Sequence, residues 1–396
     1  MKKRNPNKGF MPGLIALGVV AFMLVLAGCG GSDSSSDGAL QELGQNEGEV
    51  NLVAWPGYVE DGSTDPDVDW VSDFEKETGC KVNTKVAGTS DEMVTLMRTG
   101  QYDGVSASGD ATLRLIDGKD VSPVNTDLIP NYADVFEDLK NQPHNTVDGV
   151  NYGVPHGRGA NLLMSNDKEI SPTPTSWSAV FDPEEMAKYK GKVTAYDSPI
   201  YIADAALYLK ETQPDLGIDN PYELDDKQFN AAVDLLKTQN EYIGEYWSDY
   251  TKQIEAFSNG SSQIGTTWQV IVNLLDAENA PVTADKPAEG ATGWSDTWMI
   301  SSEAKHPNCM YAWMNHIISP QANAEVAEWF GEAPSNTKSC ELTSDEDHCD
   351  TYHAADADYW KNVYYWTTPV SDCGDDRGTK CKDYNDWVQA WTEIKG

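Results

Sequence analysis

The chain has 396 residues and a formal net charge of -36 at pH 7, from 64 acidic residues against 28 Lys and Arg. Such an acidic chain repels nucleic acid and anionic lipid head groups, so we expect no nucleic-acid partner. The length is sufficient for two domains, and 13 Trp with 18 Tyr give a high aromatic content. A solvated acidic surface is an adequate explanation for most of the carboxylates.

The N-terminal segment has the layout of an export signal. Basic residues precede an apolar run at 10–26, and the run ends in Leu26-Ala27-Gly28-Cys29. This predicts a lipoprotein signal peptide at 1–28 and lipidation of Cys29. A transmembrane anchor is the alternative, because roughly 17 apolar residues are near the lower limit of a span. We expect an extracytoplasmic protein, periplasmic or on the outer face of the cell membrane, with 29–48 as a flexible lipidated linker.

Strand and helix alternate after the linker. The pattern predicts strands at 50–54 and 80–86, helices at 68–78 and 90–99, and a third strand from residue 102. The alternation returns with strands at 191–197 and 263–267 and helices at 202–212, 226–240 and 270–278. It is typical of parallel sheets, so the predicted fold class is α/β with two lobes.

Two Gly-containing segments, 149–155 and 293–296, precede apolar strands and predict crossovers between the lobes. The expected domain boundaries are 49–154 and 295–340 for lobe 1, 155–294 for lobe 2, and 341–396 for a C-terminal segment that packs on the lobes. The cleft between the lobes is the expected ligand site.

Six cysteines follow Cys29 and suggest disulfides in an exported protein. Many pairings are possible. Sequence proximity favours Cys340 with Cys349 and Cys373 with Cys381, which leaves Cys80 with Cys309. This hypothesis places residues near 80 and 309 in one lobe.

Side chains that follow strand ends point into the crevice of an α/β sheet, and here they are aromatic or acidic. They are Trp55, Tyr58, Ser108, Asp110, Asp197, Trp268, Trp294 and Asp296. Aromatic rings bind alkyl chains and cations, and carboxylates bind ammonium groups, so the pattern favours an elongated organic amine. Burial in the core is the alternative explanation for each aromatic residue.

The sequence has no pattern that requires an enzyme. It lacks a Gly-x-Ser-x-Gly motif, a His-Glu-x-x-His motif and a phosphate-binding glycine loop. We expect no catalytic residue, no cofactor and no metal site. Paired acids such as Asp197 and Asp296 leave a cell-surface hydrolase as the weaker alternative, and an aromatic cleft leaves sugar binding open.

Several motifs from about Val50 to the C terminus carry a family resemblance. They are Trp55-Pro56-Gly57-Tyr58, 74–79, Tyr102-Asp103, 152–155, 265–268, Trp294-Ser295-Asp296 and 330–336. With these motifs the chain resembles the spermidine/putrescine-binding lipoproteins and periplasmic proteins of ABC importers. Residues 387–396 and the cysteine pattern look closest to the YdcS-type branch.

The resemblance implies a type II periplasmic-binding-protein fold, in which two lobes joined by hinge crossovers close on a polyamine. It implies a permease with its ATPase as partners, and a monomer is expected. It also implies that six positions line the cleft, namely Trp55, Tyr58, Asp197, Trp268, Trp294 and Asp296.

The chain departs from the family pattern at four positions. Ile200 and Gly57 stand where the best-known members have glutamates, Asp110 where they have a tyrosine, and Arg158 where they have an aromatic residue. An arginine in the cleft repels a polyamine and favours a carboxylate or phosphate. The three negative charges of Asp110, Asp197 and Asp296 outnumber the positive charge of Arg158, so a cation is still favoured. The expected ligand is a short diamine or an amino-bearing zwitterion.

Overall fold

The structure is a computed structural model that describes residues 38–396, so the predicted signal peptide and Cys29 lie outside the described residues. The strands are β1 (Glu49–Ala54), β2 (Lys81–Val86), β3 (Gly104–Ala107), β4 (Val121–Ser122), β5 (Thr146–Val147), β6 (Val150–Asn151), β7 (Val154–Pro155), β8 (Gly157–Ala160), β9 (Leu162–Asn166), β10 (Val193–Tyr196), β11 (Ile243–Trp247), β12 (Ile264–Thr267), β13 (Val282–Asp285), β14 (Ala291–Trp294), β15 (Thr297–Ser301), β16 (Ala333–Pro334) and β17 (Val363–Tyr365). The α-helices are α1 (Val71–Thr78), α2 (Ser90–Met97), α3 (Gly109–Asp117), α4 (Ser178–Phe181), α5 (Pro183–Met186), α6 (Ile202–Thr212), α7 (Asp226–Asn240), α8 (Tyr250–Ser258), α9 (Gln269–Ala277), α10 (Pro307–Ile317), α11 (Pro320–Phe330), α12 (His348–Thr351), α13 (Ala357–Trp360) and α14 (Tyr384–Lys395).

The first sheet has the strand order β2-β1-β3-β15-β4, with β7 beside β15. β1 pairs in parallel with β2 and β3, whereas β15 runs antiparallel to its neighbours. Successive residues of β1 enter different cores: Leu52 packs in the core that contains Trp313 of α10, and Val53 packs in the core that contains Met93 of α2. Helices therefore cover both faces of this sheet.

The second sheet has the order β11-β10-β12-β9-β13. β10 is parallel to β11 and β12, and β9 is antiparallel to β12 and β13. One core joins the sheet to α6 and α7 and contains Val193 and Leu236. Another core joins Met164 of the sheet to Phe257 of α8 and Ile271 of α9.

A third sheet of order β16-β8-β14-β17 lies where the chain passes between the lobes. Along the chain, β8 follows β7 of the first sheet and precedes β9 of the second. Similarly, β14 follows β13 of the second sheet and precedes β15 of the first. The two crossovers run side by side as antiparallel strands, with Gly293 opposite Ala160. This pairing holds the two connections together at the base of the cleft.

The structure contains all three disulfides of the hypothesis drawn from the sequence. Cys80–Cys309 spans a sequence separation of 229 residues and joins the start of β2 to α10. Both sulfurs lie in the buried core of the first lobe, beside Phe74 and Trp313. The bond therefore fixes two distant parts of the chain to one lobe.

The C-terminal helix α14 packs against α7 of the second lobe. Its residues Trp387 and Trp391 are buried in the same core as Val233 and Leu236. Between residues 38 and 396, no helix combines the length and apolar character that crossing a membrane requires.

Candidate functional site

A cavity lies in the cleft between the two large sheets, at the C-terminal ends of several strands. Its lining consists of Trp55, Ser108, Tyr196, Trp268, Trp294, Asp296, Phe330 and Trp366. The space between these side chains is about 310 Å³, including its opening to solvent. Five of the nine ligand residues predicted from the sequence line this cavity, namely Trp55, Ser108, Trp268, Trp294 and Asp296.

The strand ends account for this convergence. Trp55 follows β1, Ser108 follows β3, Trp268 follows β12, and Tyr196 is the last residue of β10. Because the carboxyl ends of parallel strands meet at one edge of each sheet, the two sheets present these side chains toward one another.

The aromatic wall of the second lobe is a packed unit. The rings of Tyr196 and Trp366 are stacked, with centroids 5.5 Å apart and planes 15° apart. Trp268 lies 5.4 Å from Tyr196, and its indole N–H donates to Asn161 Oδ1 over 3.0 Å. The neighbouring contacts thus fix the orientation of these rings before a ligand arrives.

The side chains of Trp294 and Phe330 form a second wall. Their ring centroids are 5.7 Å apart in an edge-to-face arrangement. A Cβ atom at position 159 would lie 2.4 Å from Trp294 Cζ2, so Gly159 provides the space in which this indole packs. The wall therefore depends on a glycine in the neighbouring crossover strand β8.

Asp296 is the only residue with a carboxyl group among those that line the cavity. The Ser108 hydroxyl donates to Asp296 Oδ1 over 2.6 Å, and the Tyr58 hydroxyl donates to Asp296 Oδ2 over 2.7 Å. Burial raises the pKa of Asp296 to about 6, although both hydrogen bonds oppose the rise. Among the residues lining this cavity, none is Lys, Arg or His, so no protein cation offsets the charge.

Tyr58 lies behind Asp296 and does not line the cavity. It is fully buried, and its ring contacts His156 at 3.9 Å and Phe330 at 4.6 Å between centroids. Tyr58 was predicted to line the cleft, but the structure places it behind the carboxylate of Asp296, which faces the cavity.

Asp110 is buried in the first turn of α3 and also lies outside the lining. The Ser90 hydroxyl donates to Asp110 Oδ1 over 2.8 Å. Burial raises the pKa of Asp110 to about 6, and Arg114 partly opposes this rise. Its charge acts on Asp296 from outside the lining and further raises the Asp296 pKa.

Asp197 points toward the C-terminal helix instead of the cavity. Lys395 Nζ donates to both carboxylate oxygens, at 2.7 and 2.6 Å, and Trp391 Nε1 donates to Oδ1 over 3.1 Å. The carboxylate is thus already paired with an ammonium group of its own chain.

Arg158 is buried beneath the C-terminal segment, away from the cavity lining. Its guanidinium donates to Asp138 Oδ2 over 2.6 Å, to the Ala354 carbonyl over 2.8 Å and to the Tyr365 hydroxyl over 3.1 Å. It also lies 4.2 Å from the centroid of the Trp360 ring. The structure therefore places Arg158 outside the lining of this cavity, contrary to the expectation that Arg158 faces the ligand.

Sequence reasoning did not select three of the lining residues, Tyr196, Phe330 and Trp366. Tyr196 directly precedes Asp197. The sequence therefore predicted the correct end of this strand, but it selected Asp197 instead of Tyr196, the residue that faces the cavity. Phe330 lies within the motif at 330–336. Trp366 follows the short strand β17, which no pattern in the sequence predicts.

Comparisons with known proteins agree on one family. The family model described as bacterial extracellular solute-binding protein matches residues 69–355. The spermidine/putrescine-binding periplasmic protein 1 of Haemophilus influenzae is 25% identical over 91% of this chain and 94% of its own length. The putrescine-binding periplasmic protein PotF of Escherichia coli is 24% identical over 98% of each chain.

Solved structures show the same fold. The substrate-binding protein PotD of a spermidine/putrescine ABC transporter from Streptococcus pneumoniae matches with a TM-score of 0.68 at 17% identity, over 88% of this chain and 99% of its own. The Tp0655 (TpPotD) lipoprotein of Treponema pallidum matches with a TM-score of 0.64 at 17% identity, over 87% of this chain and 98% of its own. The predicted two-lobed α/β fold is confirmed.

Proposed function

Because this chain belongs to the family of bacterial extracellular solute-binding proteins, we propose that it captures a polyamine, putrescine or spermidine, in its cleft and delivers it to the permease of an ABC importer. The proposal rests on one observation: a single buried carboxylate, Asp296, faces a cavity lined by six aromatic side chains. Relatives that match most of the chain are named as spermidine- and putrescine-binding proteins.

Family membership confirms the resemblance found in the sequence and the prediction that the chain is a binding protein and not an enzyme. The hydrolase alternative is therefore set aside. The assignment to the YdcS-type branch stays a prediction.

An ammonium group and a chain of methylenes match the two kinds of surface in the cavity. A cation gains about 0.5 to 2 kcal/mol over an aromatic face, depending on how fully both are desolvated. A carboxylate gives an ammonium group a charge-assisted hydrogen bond, which is about twice as strong as a neutral one. One amine of the ligand would therefore lie at Asp296, and its methylenes would lie between the rings.

The size of the cavity favours the shorter amine. Even with its opening to solvent included, the space of about 310 Å³ only reaches the lower limit of ~300 Å³ for small-molecule sites, so the enclosed cavity is smaller than a typical one. With Asp197 paired to Lys395, the far end of the cavity offers aromatic faces and no free carboxylate. We expect putrescine to bind more tightly than spermidine.

The geometry does not favour the zwitterion considered from the sequence, because Arg158 is not available to bind a carboxylate in the cleft. A sugar suits aromatic walls, but it gives a buried carboxylate no positive charge. The cationic ligand is therefore the better match.

Transport requires closure of the lobes around the ligand. The paired crossover strands β8 and β14 are the connections about which such a motion would occur. A ligand that contacts Trp55 and Ser108 of one lobe and Trp268 of the other favours the closed form, which the permease with its ATPase would recognise.

Lipid attachment at Cys29 belongs to the same proposal and is supported by the sequence layout alone. Cys29→Ser should abolish labelling by radioactive palmitate and release the protein from the cell surface. Labelling that persists in this variant would contradict the lipid anchor.

Titration calorimetry on the mature protein tests the ligand, with putrescine, spermidine, 4-aminobutyrate and an oligosaccharide as the panel. We expect heat from the two polyamines and none from the oligosaccharide, with weaker binding at raised salt. Silence from both polyamines at millimolar concentration, or tight binding of the oligosaccharide, would refute the assignment.

A further inference from the structure

A second carboxyl group, Glu332, lies directly beneath the ligand-facing Asp296. Glu332 follows Gly331 at the end of α11, is fully buried and does not line the cavity. A Cβ atom at position 157 would lie 2.4 Å from the Glu332 carboxyl carbon, so Gly157 leaves the space that this carboxyl occupies. The sequence analysis did not select Glu332.

The groups that face the Glu332 carboxyl come from three elements. Glu332 Oε2 lies 3.3 Å from the Tyr58 hydroxyl, and Oε1 lies 3.3 Å from His156 Nε2. The Asp296 carboxylate, on the far side of Tyr58, contributes a like charge. Across residues 38–396, no Lys or Arg forms an ion pair with Glu332.

Two further titratable groups approach this position from the C-terminal segment. His348 Nε2 lies 2.9 Å from the backbone carbonyl of Glu332. The Tyr352 hydroxyl lies near Gly331, where a Cβ atom would be 2.8 Å from it. Neither supplies a positive charge to the carboxyl. Burial lowers the pKa of His348, which favours its neutral form, and a tyrosine hydroxyl is neutral when protonated, the form that the raised pKa of Tyr352 favours.

The protons of the neighbouring groups can be assigned from their hydrogen bonds. The Trp298 indole N–H donates to His156 Nδ1 over 2.9 Å, so the proton of the neutral imidazole is on Nε2. Burial lowers the pKa of His156 to about 3, which keeps the ring neutral at pH 7. His156 is therefore no counter-ion for Glu332.

The Tyr58 hydroxyl has one proton, and its nearer acceptor is Asp296 Oδ2 at 2.7 Å. That proton is not available to Glu332 Oε2, which lies at 3.3 Å from the same oxygen. The contact between the two oxygens is favourable only if Glu332 supplies a proton.

We propose that Glu332 is a positioning residue: its protonated carboxyl donates to the Tyr58 oxygen, so that the Tyr58 hydroxyl donates to Asp296 and holds that carboxylate toward the ligand. The inference deepens the proposed function and rests on it for the role of Asp296. Burial and the charge of Asp296 both raise the pKa of Glu332, in agreement with a neutral carboxyl. A neutral Glu332 leaves Asp296 as the anchor for one ammonium group.

Two substitutions of similar size separate this role from the alternatives. In Glu332→Gln the amide N–H₂ donates to Tyr58, and the amide oxygen faces His156, so the chain of hydrogen bonds is kept. Glu332→Leu has no donor and leaves Tyr58 Oη unpaired. We expect putrescine affinity within about twofold of wild type in E332Q, and a loss of about fivefold or more in E332L, since each factor of ten corresponds to 1.4 kcal/mol.

A ligand-free measurement tests the proton itself. A carboxyl that is protonated in the folded protein and ionised in the unfolded chain reduces stability as pH rises above the unfolded pKa of ~4.3. The unfolding constant of wild type, measured by urea denaturation, should therefore rise relative to that of E332Q by about tenfold per pH unit. This rise should continue until Glu332 ionises in the folded state. E332Q should become the relatively more stable protein.

The outcomes are distinguishable. If Glu332 is ionised and attracts the ligand by its charge, E332Q weakens putrescine binding about as much as E332L and the two unfolding constants keep a fixed ratio across pH, which overturns the inference. If wild type binds no amine, the proposed function fails, and the ratio across pH still decides the protonation of Glu332. If E332L does not fold, E332Q alone gives both readouts.

Discussion

Replacing Asp296 by Asn should have opposite effects on stability and on ligand binding. Burial raises the pKa of Asp296 from 3.8 to about 6, and a shift of this size corresponds to roughly 3 kcal/mol. Because the folded protein holds the proton more tightly than the unfolded chain, wild type loses this amount between about pH 4 and pH 6, and the loss is complete above pH 6. Asn keeps both contacts, with its oxygen accepting from Tyr58 and its amide donating to Ser108. Ligand-free D296N should therefore be more stable than wild type by up to about 3 kcal/mol at pH 8 and equal to it near pH 4.

The same substitution removes the charge that we propose binds the ammonium group. A hydrogen bond to a charged partner contributes roughly 1.5 to 3 kcal/mol, so putrescine affinity should fall by about 10- to 150-fold. In wild type, affinity should stay constant above pH 7. It should fall about tenfold per unit below pH 6, as a proton competes with the ligand for Asp296.

Urea denaturation of both proteins at pH 4, 6 and 8, with calorimetry at pH 8, measures the two effects. Asp110→Asn is the matched control, since Asp110 is equally buried and its pKa is also raised to about 6, but it does not line the cavity. It should stabilise the fold at pH 8 and leave affinity within about threefold. A D296N protein that binds putrescine like wild type refutes the site, and a D110N protein that loses as much affinity as D296N places Asp110 in it.

Three further substitutions test other parts of the structure. Arg158→Ala should leave putrescine affinity unchanged and lower the free energy of unfolding by about 2 to 4 kcal/mol in denaturant titrations, because a buried, hydrogen-bonded side chain is lost. Trp294→Ala should weaken binding at least tenfold while circular dichroism stays native, whereas Trp329→Ala, at a 38% exposed position outside the lining, should bind normally. Removing the Cys80–Cys309 bond with two alanines should cost about 3 to 5 kcal/mol of stability, since it closes a loop of 229 residues; a change below 1 kcal/mol would contradict that role.

The alternation of strands and helices was predictable because hydrophobic periodicity is local. The first three strands and the helices at 202–212 and 226–240 lie where the pattern placed them. The start of α1 was predicted too early, at 68 instead of Val71. Asp69 Oδ1 accepts hydrogen bonds from the backbone N–H groups of Val71 and Ser72, at 3.1 and 2.9 Å, and so sets the first turn.

The cleft was predictable in part, because the rule of strand ends locates a sheet edge but not the direction of each side chain. Trp55, Trp268 and Trp294 line the cavity as the rule implies. Neighbouring residues on a strand point to opposite sides, so Tyr196 faces the cavity and Asp197 faces α14. The orientation of Asp197 depends on α14, which covers this part of the sheet and supplies its partner Lys395. Lys395 is 198 residues away in the sequence, so the local pattern around Asp197 does not reveal the contact.

Arg158 and Asp296 show that residue type alone does not decide whether a charged side chain pairs within the protein or faces the cavity. Both side chains are almost fully buried and belong to the crossovers: Arg158 lies in β8, and Asp296 follows β14. Arg158 has its partners within the protein, whereas Asp296 is met only by the neutral hydroxyl donors of Ser108 and Tyr58. The number and charge of the partners, fixed by tertiary contacts, distinguish the structural ion pair of Arg158 from the proposed ligand-binding carboxylate of Asp296.

The acidic residues can attract a cation in two ways, through the net charge of the surface and through direct contact with Asp296. Only the direct contact can select one ligand over another. A net charge of -36 raises the concentration of any small cation near the surface, but salt screens that attraction within about 8 to 10 Å at physiological ionic strength. Asp296 is buried and is therefore screened much less. Burial of the Asp296 carboxylate without a counter-ion costs free energy, and a cation that binds there offsets this cost. A cation at an exposed carboxylate only replaces water that already solvates the charge. The surface charge should hence affect mainly the association rate, and the single carboxylate among aromatic rings should determine which amine stays bound.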